Sequence, residues 1–549
     1  MSEFQPIHEH SQRMPLHDLK PHELPQEKES TEEFKIFTGL SREAYAARAE
    51  KKQGVEAREM FERVCSIAET IREKGGRALL VGGSVRDEVL GLPSKDFDLE
   101  VYGIQPDQME ELLKPFGKMD LVGKAFGIIK ITDGGMDIDV SIPRRDSKVY
   151  EDGEVHVEPD PTMSIKEAAK RRDFTFNALS KDPLTGDIFD PFNGIEDLRT
   201  RTLRVTDTEL FKDDSLRVMR GAQFIGRFGL KADPQSMQLF QEMVPFLDRL
   251  PKERFYQEWN KLLLKSERPA RALQALFDMG VIETVYPELF IAKGTPQEFE
   301  WHPEGDVWVH TLMVVDEASR ICQQEQLDKT KTETIMLASL CHDLGKPGTT
   351  QWKDGRWRSQ GHEPAGEEPT RIFLEKIGVS KELQQKVVAL VKEHLWPGTM
   401  YRLHAEGSFV SDGAFRRLAK RLFPATVEEL TYVAQADHQG RGPFADPKEK
   451  DQFLLPPDYP AGKWVRSQAR RLGVEKEPPK PILLGRDLIQ FGLKPSTKPG
   501  ERFGELIKFS EQLRDDHNIS HEELLALLAG ISSVQEAKQR MESRILQKM

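Results

Sequence analysis

The chain has 549 residues, of which 38% are hydrophobic and 31% charged, and carries a net charge of −12. This length exceeds one hydrophobic core and implies three or more domains of ordinary soluble composition, while the negative balance excludes a general polyanion binder, leaving any nucleic-acid contact to local basic patches. No apolar run reaches the length of a membrane span, the start "MSEFQPIHEHSQRMPLHDLK" has no signal-peptide core, and three scattered cysteines (Cys65, Cys322, Cys341) fit a reducing cytoplasm.

Residues 1–52 are polar, rich in His, Glu and Pro, and read as a loosely ordered extension. An amphipathic helix is expected from Val55 to Lys74, followed by β-rich runs with short helices over residues 78–180. Helical signals begin near Glu209 and persist to Leu289. A second helical block, rich in histidine, runs from His302 to Gly442; Gly440 to Pro460 reads as a linker, and a helical tail closes the chain. No internal repeat is visible. The expected class is therefore α+β, with a small mixed sheet followed by an all-α remainder.

Within the β-rich part, "ALLVGGSVRDEVLGLPSKDFDLEVYG" places Gly82 and Gly83 after a buried strand, with Ser84 near a helix N-cap. Backbone N–H groups at such a turn can hold phosphate oxygens. The alternation of "DFDLEVY" puts Asp96 and Asp98 on one strand face, where their mutual repulsion is offset most simply by a divalent cation. "GMDIDVSI" is a second alternating run whose Asp139 can join the cluster. Three carboxylates beside a phosphate cradle suit two-metal phosphoryl transfer. A solvated strand edge with a glycine turn is the plain alternative.

"GGSVRD" followed by "KDFD" resembles the head of the class II tRNA nucleotidyltransferase and poly(A) polymerase family, within the polymerase-β-like nucleotidyltransferase superfamily. "RRDFTFNALSKD", "DPFNGIEDL", "DDSLRVMRGAQFIGRFG" and "KERFYQEWNKLLL" look like its remaining motifs, in order, covering about residues 75–290. The resemblance implies a nucleotidyltransferase head over 53–182 and a helical neck and body over 183–300, which selects nucleotides and binds RNA. It also implies Mg²⁺ on Asp96 and Asp98, with Arg86, Arg172, Asp173 and Asn177 on the nucleotide.

In "DDSLRVMR", a helix would make Asp214 and Arg217 neighbours at i, i+3, with Arg217, Arg220 and Arg227 on one face and Asp213 nearby. A helix-start salt bridge with a solvated arginine stripe is the bland alternative. In the family, the matching acid and arginine act as an amino-acid template for the base. Cytosine and adenine each pair an exocyclic amine with an acceptor ring nitrogen, so a carboxylate and a guanidinium fit both; guanine and uracil reverse the pattern. CTP and ATP are thereby selected. Asp213 stands where the family commonly has Glu, which shortens its reach. Between the third acid and "RRDF", a segment looks like the flexible loop of fully CCA-adding members. The implied reaction is CCA addition to tRNA; poly(A), A-adding or CC-adding activity, and an inactive tRNA-binding protein, are the alternatives.

The histidine-rich block supplies His310 in "WHPEGDVWVHTLMVVD" and adjacent His342 and Asp343 in "LASLCHDLGKPG", then His362, His394 and Asp437. These are ligands for first-row transition metals, and an adjacent His-Asp pair can hold one ion or bridge two. The set resembles an HD-type metal-dependent phosphohydrolase over 301–445, with Mn²⁺ or Ni²⁺ as the suited ion and Lys346 as a phosphate contact. Residues 446–549 then form a linker and an RNA-binding helical tail. His404 and His438 carry no assignment.

Overall fold

The computed structural model describes residues 44, 46–47, 55–92, 97–120, 128–133, 136–149, 155–266, 268–442, 444–445, 453–454, 458–499 and 502–548. Asp96, most of the 1–52 extension and much of the 440–460 linker lie outside them. The chain forms two compact units: residues up to Met163 with Leu179–Asp190, and Ser164–Ala178 with Pro191 onward.

In the first unit, helix α1 (Val55–Glu73) buries Phe61, Val64, Ile67, Ala68 and Ile71, the apolar stripe its spacing dictates. Strand β1 (Arg77–Val81) leads through Gly82 into α2 (Gly83–Val89). Then come β2 (Phe97–Tyr102), α3 (Pro106–Leu113), β3 (Lys118–Asp120), β4 (Ile128–Asp133) and β5 (Met136–Ser141). A separate hairpin, β6 (Arg144–Val149) with β7 (Val155–Pro159), occupies the segment expected as a flexible loop, where "VHVEP" alternates as a strand. Strands β8 (Ser180–Lys181) and β9 (Ile188–Phe189) complete the sheet. Its order is β3-β4-β5-β2-β1-β8-β9, a mixed sheet in which β2 and β5 run parallel and the other described neighbours antiparallel. Behind it, Lys181 Nζ meets Glu88 Oε1 at 2.6 Å with both side chains buried.

The second unit is helical apart from short two-stranded pieces. Helix α4 (Ile165–Lys170) starts on a reciprocal capping box between Ser164 and Glu167. After it, Phe174 stacks on Phe176 and meets Phe211, Phe224 and Phe240 edge-on, which anchors the "RRDFTF" turn in the core. Gly194 abuts this turn; a Cβ there would sit 2.3 Å from Thr175 O, so no other residue fits. Helices α5 (Arg217–Phe228), α6 (Lys252–Lys265) and α7 (Pro269–Asp278) follow. The histidine-rich block is carried by α8 (Val307–Gln324), α9 (Lys329–Cys341), α10 (Lys381–Glu393) and α11 (Val427–Gln439). The tail has its own core, in which Leu483, Leu506, Leu513, Leu524 and Met541 are buried together. No helix among the described residues is long and apolar enough to cross a membrane. All three cysteines are buried, and none forms a disulfide.

Candidate active sites

In the first unit the parallel register of β2 and β5 sets Asp98 directly beside Asp139. Side chains in register on neighbouring strands share a face, so the two carboxylates stand together, half-buried. Asp139 Oδ1 is buried and accepts no hydrogen bond among the described residues. An orphaned carboxylate oxygen beside a second carboxylate is a donor set for a divalent cation. Gly82 adopts φ 68°, which requires glycine, and caps α2; its N–H goes to Leu179 O at 3.3 Å. The first-turn N–H groups of Gly83 and Ser84 precede the helix's own ladder of hydrogen bonds. Ser84 is not the cap: it sits inside the helix and its Oγ donates to Val81 O at 3.2 Å. Arg86 is buried, with Nη2 2.7 Å from Asp87 Oδ1.

In the second unit, Asp173 and Asn177 are buried in a network of their own. Asp173 Oδ2 accepts from Arg220 at 2.7–2.8 Å, and Oδ1 accepts from Asn177 Nδ2 and from the Phe174 N–H, each at 2.9 Å. Arg172 lies half-buried in the turn after α4. The expected helix through "DDSLR" begins later: α5 starts at Arg217, because Asp214 Oδ1 takes the Leu216 N–H at 3.1 Å and closes a side-chain turn instead. Asp214 and Arg217 are therefore not an ion pair across a helical turn. Asp214 Oδ2 accepts from Arg254 of α6 at 2.6 Å, while Arg217 donates to Leu210 O at 2.6 Å and Arg171 O at 3.1 Å. Burial lowers the Arg217 pKa, against the pull of Asp173 and Asp214. Asp213 is exposed.

The histidine-rich block brings all six expected ligands into one buried cluster. Nδ1 donates to Ser339 O in His342 and to Ser359 O in His362, both at 2.8 Å, and to Val391 O in His394 at 2.7 Å. Each ring is thereby fixed with its Nε2 lone pair turned inward. Nε2 of His342 lies 3.3 Å from Nε2 of His310, and Nε2 of His362 lies 3.4 Å from that of His394. Asp343 stands between the pairs, with Oδ2 3.2 Å from His342 Nε2 and Oδ1 3.4 Å from His362 Nε2. Asp437 Oδ1 adds a contact to His310 Nε2 at 3.1 Å. Converging lone pairs and carboxylate oxygens repel unless cations sit among them, and one aspartate touching two histidine pairs suits two ions. Burial pulls the His394 pKa down to about 3, leaving it neutral and able to ligate at pH 7. Burial opposes ionisation of Asp343, yet His342 and Lys346 outweigh it and hold the carboxyl well below its ordinary range.

Several residues here escaped the sequence reading. Glu304 Oε1 lies 2.9 Å from His302 Nδ1 and 2.8 Å from His310 Nδ1, a buried anion behind the cluster. Burial pushes the Glu304 carboxyl up, but the two histidines hold it at about 2. Arg441 grips Asp437, and Gln297 holds Lys346 Nζ 2.7 Å from its side-chain oxygen while Asp343 takes it at 2.7 Å. Nothing in "WHPEGD" separates Glu304 from Asp306 two residues on; only the fold brings Glu304 to His310. Of the unassigned histidines, His404 stacks on Trp464 and His438 tilts against Tyr459.

Fold and sites together define a polymerase-type head joined in one chain to an HD domain. Three family profiles match accordingly: "Poly A polymerase head domain" over residues 78–204, "Probable RNA and SrmB-binding site of polymerase A" over 229–292, and "HD domain" over 307–438. The multifunctional CCA protein of Xanthomonas campestris pv. campestris is 36% identical over 374 residues, 66% of this chain and 85% of that protein. Its counterpart in Xylella fastidiosa is 32% identical over 375 residues, 66% of this chain and 84% of that protein. The chain belongs to the multifunctional CCA protein family. Its fold is that of the Bacillus stearothermophilus CCA-adding enzyme solved with CTP (TM-score 0.57, 20% identity, 89% of this chain and 99% of that one). The Thermotoga maritima CCA-adding enzyme solved with tRNA is similar as well (TM-score 0.53, 18% identity, 93% and 99%).

Proposed function

We propose that this chain adds CCA to the 3′ ends of tRNA from CTP and ATP, without a nucleic-acid template, and carries a second, metal-dependent phosphohydrolase site. The carrying observation is family membership, 36% identity across 85% of a multifunctional CCA protein, in a chain that retains Asp98 beside Asp139. In this reading Asp98 and Asp139, with Asp96, hold Mg²⁺, which when bound neutralises the triphosphate and the developing charge. The Gly82 turn and the first N–H groups of α2 receive phosphate oxygens. Arg172 contacts the nucleotide directly, whereas Asp173, accepting from both Asn177 and Arg220, keeps Arg220 and the turn in place. Asp214 accepts from the exocyclic amine of cytosine or adenine on leaving Arg254. Arg217 donates to the ring nitrogen with an N–H not bound to a carbonyl, since a guanidinium has five.

In the HD domain, His310, His342, Asp343 and Asp437 would hold one ion and Asp343, His362 and His394 another, with Mn²⁺ or Ni²⁺ suited to imidazole. Such ions supply a nucleophilic water and polarise a phosphoryl oxygen. Lys346 meets the phosphate, and the buried rings exclude bulk water.

The test is incubation with tRNA ending at the discriminator base, Mg²⁺ and each labelled triphosphate in turn. Ordered incorporation of C, C and A is expected; incorporation of A alone, or of a long A tract, would overturn the CCA reading. His342→Ala with Asp343→Ala should remove metal-stimulated phosphatase activity and leave CCA addition intact.

A further inference from the structure

Above the HD cluster lies a cavity of about 230 Å³ whose inner wall includes Asp343, His362 and His394 and whose outer wall includes Trp301 and Trp357. Both tryptophans are exposed, Trp301 by 56% and Trp357 by 36%. Large apolar faces left in water at the rim of a charged cavity are an unusual expense for a side chain that packs readily, and mark a binding surface.

The rim is also braced. Trp357 belongs to a two-stranded hairpin, Gln351–Lys353 with Arg356–Arg358, in which it pairs with Trp352, ring centroids 5.1 Å apart at 71°. The segment carrying Trp301 is tied to that hairpin: Glu298 Oε2 accepts the Trp357 N–H at 3.1 Å, and Glu300 pairs with Arg356 at 3.3 Å. Two indoles are thus held on linked supports over a site whose inner end takes phosphate.

We infer that Trp301 and Trp357 are specificity residues of the HD site, stacking on the base of a nucleoside phosphate ester whose phosphate lies at the Asp343 cluster. The inference rests on the hydrolase reading above for the fate of the phosphate, and on the rim for the base. A phosphomonoester without a flat π system has nothing to offer these rings, whereas any nucleobase does, and base–aromatic stacking is tolerant of base identity. Glycerol phosphate and adenosine monophosphate present the same phosphate chemistry and differ in the base, so they separate the two contributions.

The experiment uses the full chain and its Trp301→Ala/Trp357→Ala variant, with Trp301→Phe/Trp357→Phe as the conservative control. Hydrolysis of adenosine monophosphate and glycerol phosphate is measured with Mn²⁺, and binding of both by calorimetry with and without added metal. Nucleotide held by the head contributes equally to all three proteins. The alanine variant should lose about ten- to a hundredfold in both kcat/KM and affinity for adenosine monophosphate, keep glycerol phosphate within about twofold, and be rescued by phenylalanine. A 3′-phosphorylated trinucleotide run in parallel distinguishes a free nucleotide from an RNA end by which loses more; a loss in either supports the stacking role. Equal losses for both small esters, or none for any nucleotide, overturn it. If no ester is hydrolysed but tryptophan-dependent nucleotide binding persists, the hydrolase reading falls and the stacking role stands.

Discussion

Replacing Glu304 by glutamine keeps its shape and removes its charge, so it isolates what that anion does for the HD cluster. One carboxylate oxygen lies within 2.9 Å of Nδ1 in both His302 and His310, and the other accepts the Gly442 N–H at 3.1 Å. These contacts, winning over burial, lower the carboxyl from an ordinary 4.5 to about 2. At about 1.4 kcal/mol per tenfold change in proton affinity, the depression corresponds to about 3 kcal/mol of native-state stabilisation at neutral pH. Because the folded-state pKa is depressed, this increment is fully present above pH 4.5 and is lost as pH falls towards 2. Glu304→Gln should therefore destabilise the HD domain at pH 7 by an amount of that order. The gap between wild type and variant, followed by urea unfolding, should close as the pH is lowered through that window. The variant also loses the anion 2.8 Å behind His310 Nδ1, and replacement of such an outer partner weakens metal binding about 10–100-fold. Calorimetric titration with Mn²⁺ in an Asp98→Ala background, which takes away the carboxylate proposed for the head's metal, reads that loss. Unchanged Mn²⁺ affinity together with a pH-independent stability gap would refute the reasoning.

Asp98→Ala should abolish nucleotide incorporation while tRNA affinity, read by filter binding, stays near wild type; incorporation at near wild-type rate would remove Asp98 from the metal site. Asp214→Asn replaces a pure acceptor with a group that can also donate, so discrimination of CTP and ATP over UTP and GTP should fall about ten- to a hundredfold in kcat/KM. An equal decline for all four triphosphates would make Asp214 a structural residue. Lys181→Met removes the cation 2.6 Å from the buried Glu88 carboxylate, a loss of about 3–5 kcal/mol, and the double change Lys181→Met/Glu88→Leu should recover much of it. Thermal unfolding that separates neither variant from wild type would refute a role for this pair.

Alternation in "DFDLEVY" and "GMDIDVSI" was enough to expect two strands carrying Asp98 and Asp139, and the ordered motifs were enough for a mixed-sheet head and a helical remainder. The six members of the HD cluster could be named because their order resembles that of HD-type phosphohydrolases and each is a residue type that metals require. What the sequence alone could not determine was every partner. Asp98 lies beside Asp139 only because β2 and β5 pair in parallel register. Asp173 is bound by Arg220, 47 residues away, and Asp214 by Arg254, 40 residues away, neither of them at helical spacing. His310 meets Asp437 across 127 residues. Local spacing fixes which face of a helix or strand a side chain occupies, since that depends on the 3.6- and 2-residue periods. Which two faces meet depends on the burial of the apolar surface around them, a sum over the whole core that no short window contains, and only the tertiary structure carries it out.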